Sequence, residues 1–116
     1  MLVVDDDLAL REALRDSLTD EGYLLAEASD GTAALAYLRA NPRPALILLD
    51  WNMAPMNGAQ FMSEMVKDPV LAEIPVVLLT ADARIREKTL MYRFAASLKK
   101  PVDLDALFAV VGRYCA

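Results

Sequence analysis

The residues of this chain that are best suited to chemistry stand where apolar runs end. The run "MLVV" is followed by Asp5, Asp6 and Asp7, and the run "ALILL" at 45–49 is followed by Asp50. Adjacent carboxylates repel one another and raise each other's pKa unless a cation offsets their charge. Carboxylate oxygens are ligands that Mg²⁺ accepts in proteins, and an aspartate can attack phosphorus as a nucleophile. These residue types therefore indicate Mg²⁺-assisted phosphoryl chemistry with Asp50 as the nucleophile.

Two further apolar runs end in groups that suit the same chemistry. The run "IPVVLL" at 74–79 leads to Thr80, and "AASLK" at 95–99 leads to Lys100 and Pro101. Phosphoryl transfer depends mainly on positioning and on neutralisation of charge. We expect Lys100 to share that neutralisation with the metal ion and the Thr80 hydroxyl to donate to a phosphoryl oxygen.

Composition excludes several other classes of function. The chain has 116 residues, 56% of them hydrophobic and 25% charged, which suits one domain over 1–116. A net charge of −5 without a basic block argues against direct nucleic-acid binding, and the absence of histidine excludes Ser-His-Asp and Cys-His catalysis. The single cysteine excludes an internal disulfide and suits a reducing, cytoplasmic setting. No apolar run is long enough for a membrane span, so no membrane association is expected.

These apolar runs, together with "YLLAEA" at 23–28, alternate with segments of helical periodicity, which predicts an α/β fold with five β/α units. Helical periodicity is visible at 10–18, 35–38, 61–66 and 104–111. Asp7 and Asp103 are expected to cap the first and last helices, while Pro42 and Pro69 are expected to end two others. In such sheets the active crevice lies outside the carboxyl ends of the strands, so the residues that end the apolar runs should converge.

Four motifs, "LVVDDD", "LLDWNM", "LLTAD" and "LKKP", follow one another at these predicted strand ends. Through them the whole chain resembles the receiver domain of two-component response regulators, the chemotaxis type in particular. The resemblance implies a doubly wound, flavodoxin-like parallel sheet of five strands in the order 2-1-3-4-5 with five helices. It also implies a cis peptide before Pro101.

The resemblance further implies a role for each matching residue. Asp50 would be the phosphoacceptor, and Mg²⁺ would be bound by Asp6, Asp50 and the main-chain carbonyl of Asn52. Asp5 would assist the metal through water. The residues that would contact the phosphoryl group are Thr80 and Lys100.

Two positions depart from the pattern of the family that the chain resembles. Ser97 stands three residues before the motif lysine, where the family usually carries an aromatic ring that reports phosphorylation to the output face. The signal is therefore expected to use another element, with Tyr92 and Phe94 as candidates. Pro55 stands one residue later than the family's usual proline, after Ala54, which predicts an altered loop that keeps the chemistry of Asp50.

Three residues near the expected acceptor are predicted to modulate its signal or to report it. Asn52 stands two residues after Asp50, and Asp82 stands two after Thr80. Small polar side chains at these positions would leave room for an attacking water, so we expect rapid self-dephosphorylation, as in the chemotaxis-type regulators. Trp51 adjoins the acceptor and should sense charge that arrives there.

The expected partners follow from the missing histidine. The phosphoryl donor has to be another protein, a sensor histidine kinase or a histidine phosphotransfer protein. By resemblance, the fourth helix, the fifth strand and the fifth helix form the output face, toward a downstream protein target or a fused output domain. Formation of a homodimer stays open. The chain would catalyse only its own phosphorylation and dephosphorylation.

Two other classes of function remain as alternatives. A degenerate receiver would keep the fold and bind proteins without phosphate, which Ser97 favours and the complete set of acidic, hydroxyl and lysine residues disfavours. A small Mg²⁺-dependent phosphatase could also use a strand-end aspartate. However, such a phosphatase would need a second acidic residue where this chain has Asn52, and the chain has no insertion large enough to form a cap over the site.

Overall fold

A parallel sheet of five strands forms the centre of the chain, in a computed structural model that describes residues 1–81 and 94–115. The spatial order of the strands is β2-β1-β3-β4-β5, which confirms the predicted order. The strands are β1 (Leu2–Val4), β2 (Ala26–Ala28), β3 (Ile47–Asp50), β4 (Val76–Thr80) and β5 (Ala96–Lys99). The order reverses between β1 and β3, and ligands of open α/β sheets bind at that point, outside the carboxyl ends of the strands.

Helices cover both faces of this sheet. In the described residues the α-helices are α1 (Leu8–Asp20), α2 (Gly31–Ala40), α3 (Gly58–Met65) and α4 (Leu104–Cys115), and a 3-10 turn spans Leu71–Glu73. The remaining helix of the five predicted would fall between β4 and β5, where residues 82–93 lie outside the described part. Across the described ranges, every helix is too short or too polar to cross a bilayer.

The first and last helices begin at the aspartates predicted to cap them. An Oδ1 atom of Asp7 accepts from the backbone N–H of Leu10 at 3.2 Å, and Oδ1 of Asp103 accepts from that of Asp105 at 3.1 Å. These bonds satisfy N–H groups that have no partner within the helix. Since α1 follows β1 after only three residues, the Asp7 cap also fixes the turn that carries Asp5 and Asp6.

The prolines act differently at the two predicted helix ends. Helix α2 ends at Ala40, and Asn41 is extended (φ −133°, ψ 161°) before Pro42, as expected. Helix α3 already ends at Met65, earlier than predicted from Pro69. The Asp68 carboxylate accepts from the backbone N–H groups of Val70 and Leu71, just before and at the start of the 3-10 turn, so Asp68 starts a new turn instead of ending α3.

Two cis peptide bonds occur in the described part of the chain. One joins Lys100 to Pro101, as the resemblance implied, and the other joins Ala54 to Pro55 in the loop after β3, where an altered conformation was expected.

Both faces of the sheet carry an apolar core. One face packs against α2 and α3 through a cluster that includes Val4, Ile47 and Phe61. The other packs against α1 and α4 through a cluster that includes Val3, Leu48 and Leu107. Each fully buried side chain of this size contributes about 1.5–3 kcal/mol to folding. Because β1 and β3 are buried on both faces, their carboxyl ends are held in fixed positions.

Candidate functional site

Asp5 is fixed at the end of β1 by hydrogen bonds to each of its polar atoms, and it is fully buried. Its N–H donates to the carbonyl of Ala28 at 3.1 Å, and its own carbonyl accepts from Nη1 of Arg11 at 2.6 Å. One carboxylate oxygen accepts from the N–H of Asp7 at 2.9 Å. The other accepts from Nζ of Lys100 at 2.9 Å. Asp5 is therefore a rigid buried carboxylate that anchors Lys100.

Asp50 ends β3 beside Asp5, and the same lysine joins the two. The Nζ atom of Lys100 lies 3.3 Å from Oδ1 of Asp50, and the Asp50 side chain is only 7% exposed. Asp6 is exposed at the neighbouring turn, and one carboxylate oxygen each of Asp5, Asp6 and Asp50 lies within 4.8 Å of the other two. The predicted convergence of these carboxylates at one edge is therefore present in the structure.

Burial and charge shift the pKa values of the two central groups. Burial, and to a lesser extent the charge of Asp5, raise the pKa of Asp50 from 3.8 to about 6, although Lys100 and the Asn52 N–H act in the opposite direction. Burial lowers the pKa of Lys100, but its hydrogen bond to Asp5 and the charges of both carboxylates raise it by more. Lys100 is thus a firmly charged ammonium, and the negative charge around Asp50 is only partly compensated.

Thr80 and Lys100 are brought to the same edge by the pairing of β4 with β5. Thr80 is the last residue of β4, lies opposite Lys99 and is 6% exposed. The N–H of Lys100 donates to the Thr80 carbonyl at 2.8 Å, which continues the strand pairing by one residue. In the neighbouring pair, Asp50 lies opposite Leu79. Thr80 therefore lies at the carboxyl edge that carries Asp50, as predicted.

The loop after β3 is held at two glycines. The Trp51 carbonyl accepts from the Gly58 N–H at 2.9 Å, and the Met56 carbonyl accepts from the Gly31 N–H at 3.1 Å. Within the loop, the Asn52 N–H lies 3.4 Å from Oδ1 of Asp50, a long hydrogen bond. The Asn52 carbonyl, expected to bind Mg²⁺, therefore belongs to a loop tied to the starts of α2 and α3.

Replacing Gly58 with alanine is expected to destabilise this loop. A β-carbon at Gly58 would lie 2.7 Å from the Trp51 ring and 2.9 Å from the Trp51 Cα, and the backbone cannot move away freely. We expect a loss of about 1–3 kcal/mol in the free energy of unfolding, measured by urea denaturation. Gly112→Ala is the matched control, because a β-carbon there would meet only the Tyr23 hydroxyl at 3.8 Å. Gly112→Ala lies inside α4 and should raise the free energy of unfolding by up to about 1 kcal/mol. Equal effects of the two variants on that free energy would contradict the expectation.

The residues expected to modulate the signal lie in three different settings. Ser97 is exposed in β5, opposite Leu78. Asp82 and Tyr92 lie outside the described residues. Phe94 packs edge-on against Trp51, with ring centroids 6.0 Å apart and an interplanar angle of 82°. An aromatic contact thus connects the residue after Asp50 with Phe94, two residues before β5 begins, although position 97 carries no ring.

Arg11 is the part of the site that sequence reasoning missed. Besides its bond to the Asp5 carbonyl, its Nε atom lies 3.4 Å from Oε1 of Glu27 in β2. The sequence contained two signals: an arginine one turn into the helix that follows the aspartates, and a lone acid in the otherwise apolar β2. Neither signal revealed that the two side chains meet beside Asp5.

The donor set fits a divalent cation such as Mg²⁺. Three carboxylates and one ammonium leave a net charge of about −2 at the cluster when all four groups are charged. Burial chiefly, and then the charge of Asp5, raise the pKa of Asp50. Mg²⁺ prefers oxygen ligands, needs few carboxylates from the protein and keeps several of its waters. Exposed Asp6 leaves one side of the cluster open to solvent and to a phosphoryl group.

Comparison with known proteins points to one family. The sequence matches the family model described as response regulator receiver domain over residues 1–112. It is 36% identical over 111 residues to Response regulator MprA of a Mycobacterium species (strain KMS), which covers 94% of this chain and 47% of that protein. The chain therefore spans about half the length of this relative.

Solved structures agree with the sequence match. A response regulator receiver protein from Pseudomonas putida superposes with a TM-score of 0.88 at 28% identity, covering 97% of this chain and 93% of that one. Response regulator TrrA from Thermotoga maritima, solved in complex with Mg²⁺-BeF, gives a TM-score of 0.85 at 28% identity, with coverages of 97% and 96%. By sequence, by fold and by the residues gathered at the carboxyl edge of its sheet, the chain belongs to the response regulator receiver domain family of two-component signalling.

Proposed function

We propose that this receiver domain takes a phosphoryl group onto Asp50 from a phosphohistidine of a partner protein and thereby switches a protein-interaction face. The observation that carries the proposal is the gathering of Asp5, Asp6 and Asp50 at one sheet edge, where Lys100 pairs with both Asp5 and Asp50. A merely structural aspartate would not require a second buried carboxylate and a shared lysine beside it.

In the proposed step, a carboxylate oxygen of Asp50 forms a bond to phosphorus while the phosphorus–nitrogen bond of the donor breaks. The electron pair of that bond stays on the imidazole nitrogen. Lys100 neutralises charge on the transferring group, and the Thr80 hydroxyl donates to one of its oxygens. Mg²⁺, when bound by Asp6, Asp50 and the Asn52 carbonyl with Asp5 assisting through water, supplies further neutralisation. A similar Thermotoga protein was solved in complex with Mg²⁺-BeF, which supports a Mg²⁺ site in a domain of this fold.

The donor has to come from outside the chain, because the chain contains no histidine. A sensor histidine kinase or a histidine phosphotransfer protein that meets the receiver in the cytoplasm has the required chemistry, since a phosphohistidine carries its phosphoryl group on nitrogen. The receiver is therefore the acceptor of the relay and catalyses only its own modification. Its output would go to a downstream protein target, a fused output domain or a second copy of the domain.

Trp51 offers a direct test, since it is the only tryptophan and adjoins Asp50. Wild-type protein is titrated with Mg²⁺ and then with beryllofluoride while Trp51 fluorescence is followed, and Asp50→Asn is the control. We expect a saturable Mg²⁺ response and a second response that needs Asp50. Silence in both titrations would reject the proposal and favour the phosphate-independent binding module, for which exposed Ser97 is the supporting observation.

The lifetime of the proposed aspartyl phosphate is expected to depend on Asn52 and Asp82. Water ends that state by attacking phosphorus and returning the Asp50 carboxylate with inorganic phosphate, and small polar neighbours leave room for that water. Replacing both residues with leucine should lengthen the lifetime about 10-fold or more, since positioned polar groups typically contribute such factors. The rate of phosphate release after removal of the phosphoryl donor measures this lifetime. An unchanged lifetime would count against a role for these residues.

The Trp51–Phe94 contact is expected to transmit the conformational change caused by phosphorylation toward β5, because Ser97 has no ring to move. Phe94→Leu keeps an apolar side chain and removes the edge-on contact. We expect Phe94→Leu to reduce the effect of beryllofluoride on hydrogen exchange in residues 96–99 at least about twofold, because edge-on aromatic pairs contribute about 0.5–1.5 kcal/mol. The Mg²⁺ affinity of this variant should be unchanged. Ser97→Ala is the control in the same strand. If both variants respond like wild type, the signal takes another route.

A further inference from the structure

We propose that Arg11 is a positioning residue: it holds the peptide between Asp5 and Asp6 and thereby sets the direction of the cation-binding carboxylates. This inference rests on the proposed function, because it concerns the same Mg²⁺ site. The four residues that carry it are Asp5, Asp6, Arg11 and Glu27.

The contact acts on the peptide that links the two aspartates. The Nη1 atom of Arg11 donates to the main-chain carbonyl of Asp5 at 2.6 Å. A peptide group is planar, so a bond that fixes its oxygen also fixes the orientation of the following N–Cα bond. That bond belongs to Asp6, which is exposed and is therefore little constrained by packing. Arg11 thus fixes the peptide plane from which Asp6 extends, and Asp6 carries the one carboxylate of the cluster that burial does not hold.

Glu27 pairs with the guanidinium from the other side by charge, although the buried Nε of Arg11 has no hydrogen-bond partner among the described residues. Its Oε1 atom lies 3.4 Å from Nε of Arg11, and the two side chains are only 14% and 23% exposed. Glu27 lies in β2, which pairs with β1 in parallel, so the carboxylate stands on a rigid neighbour of Asp5. Its negative charge also offsets that of Arg11. The arginine can therefore hold the turn without strongly opposing the approach of a cation.

Arg15 provides a natural control. Its Nη1 atom lies 3.1 Å from Oε2 of the same Glu27, but its side chain is 47% exposed. It carries the same charge one helical turn further along α1. Among the contacts of the described residues, none joins Arg15 to Asp5. The two arginines therefore share their charge and the partner Glu27, and Arg11 contacts the Asp5 carbonyl. Arg15 is more exposed, and its Nε lies 3.8 Å from Oδ1 of Asp16.

A positioning role and a purely electrostatic role of Arg11 predict opposite effects of Arg11→Ala on Mg²⁺ affinity. If Arg11 acted only by its charge, removing a cation near an acidic site would tighten Mg²⁺ binding. If it positions Asp6, its removal should weaken Mg²⁺ binding about 10-fold, as residues that orient metal ligands typically do. Arg15→Ala should stay within about twofold of wild type.

The experiment compares wild type, Arg11→Ala, Arg11→Lys and Arg15→Ala by Mg²⁺ titration of Trp51 fluorescence. Arg11→Lys keeps the charge and most of the stem but has a shorter reach, so an intermediate affinity is expected. Equal or tighter binding by Arg11→Ala overturns the inference. If Arg11→Ala does not fold, the lysine variant decides in the same way: weaker binding supports the inference, and wild-type binding overturns it.

A second measurement works without metal. The Asp7 N–H donates to the Asp5 carboxylate, so its exchange rate reports the order of the turn. Arg11→Ala should raise amide exchange at Asp7 at least about 3-fold, and Arg15→Ala should not. If wild type showed no Mg²⁺ response, the proposed function would fail, and this comparison would still decide the role of Arg11. Equal amide exchange at Asp7 in the two variants would overturn the positioning role of Arg11.

Discussion

Replacing Lys100 with alanine is expected to lower the free energy of unfolding by about 3–5 kcal/mol at neutral pH without Mg²⁺. The ammonium is the shared partner of Asp5, which is fully buried, and Asp50, which is 5% exposed. Removing one partner of a buried ion pair leaves an uncompensated charge, and losses of that size are typical. The expected fall in melting temperature is on the order of 10 °C for a domain of this size.

Lys99→Ala is the matched control for this prediction, since Lys99 is the preceding residue of β5 and is exposed. Lys99→Ala should change the free energy of unfolding by no more than about 0.5 kcal/mol. Millimolar Mg²⁺ should restore part of the stability lost in Lys100→Ala, because a divalent cation replaces the missing positive charge. Thermal unfolding with and without Mg²⁺ measures both effects. Equal stabilities of the two lysine variants would show that Lys100 does not hold the carboxylates together.

Asp50→Asn is expected to have the opposite effect and to stabilise the Mg²⁺-free domain at neutral pH. The pKa of Asp50 is raised from 3.8 to about 6 in the folded protein, chiefly by burial. Folded protein therefore binds the Asp50 proton more tightly than unfolded protein does. A difference of about two pKa units corresponds to roughly 3 kcal/mol, which wild type loses as this carboxyl ionises. Asparagine avoids that loss and still offers an oxygen to the Asn52 N–H.

The pH dependence gives this prediction a definite sign. Between pH 3.8 and about 6 the folded state holds more of the Asp50 proton, so this group makes wild-type stability fall as pH rises through that window. The stability advantage of Asp50→Asn should therefore be small near pH 4 and reach its full value above about pH 7. Saturating Mg²⁺ should reduce it again. Urea denaturation at these pH values tests the prediction, and an advantage that is independent of pH would contradict it.

The sequence predicted the sheet and its chemically active edge because both depend on where apolar runs stop. Each of the runs before Asp5, Asp50, Thr80 and Lys100 forms a buried or half-buried strand, so the next polar residue has to emerge at the carboxyl edge. The run at 23–28 predicted more strand than exists, since β2 covers only Ala26–Ala28 and Leu24 is 89% exposed. An edge strand pairs on one side only, and apolar content alone does not determine its length.

The parts that could not be predicted depend on the reach of side chains and on loop geometry. The contact of Arg11 with the Asp5 carbonyl needs a helix that starts directly after β1, and the Trp51–Phe94 contact joins residues 43 positions apart. The close approach of Gly58 to Trp51 depends on the path of the whole loop. Composition and periodicity carry no information about any of these distances. The order of the motifs along the chain predicted which residues meet at the carboxyl edge, whereas the contacts that hold them depend on the three-dimensional path of the chain.

The central claim is that Asp50 accepts a phosphoryl group, and intact-protein mass spectrometry tests it most directly. Wild type and Asp50→Asn are incubated with acetyl phosphate, each with and without Mg²⁺, and peptide mapping locates any added group. We predict the mass gain of one phosphoryl group in wild type, dependent on Mg²⁺ and located at Asp50, and no gain in the variant. No gain in wild type, or an equal gain in Asp50→Asn, would contradict the claim.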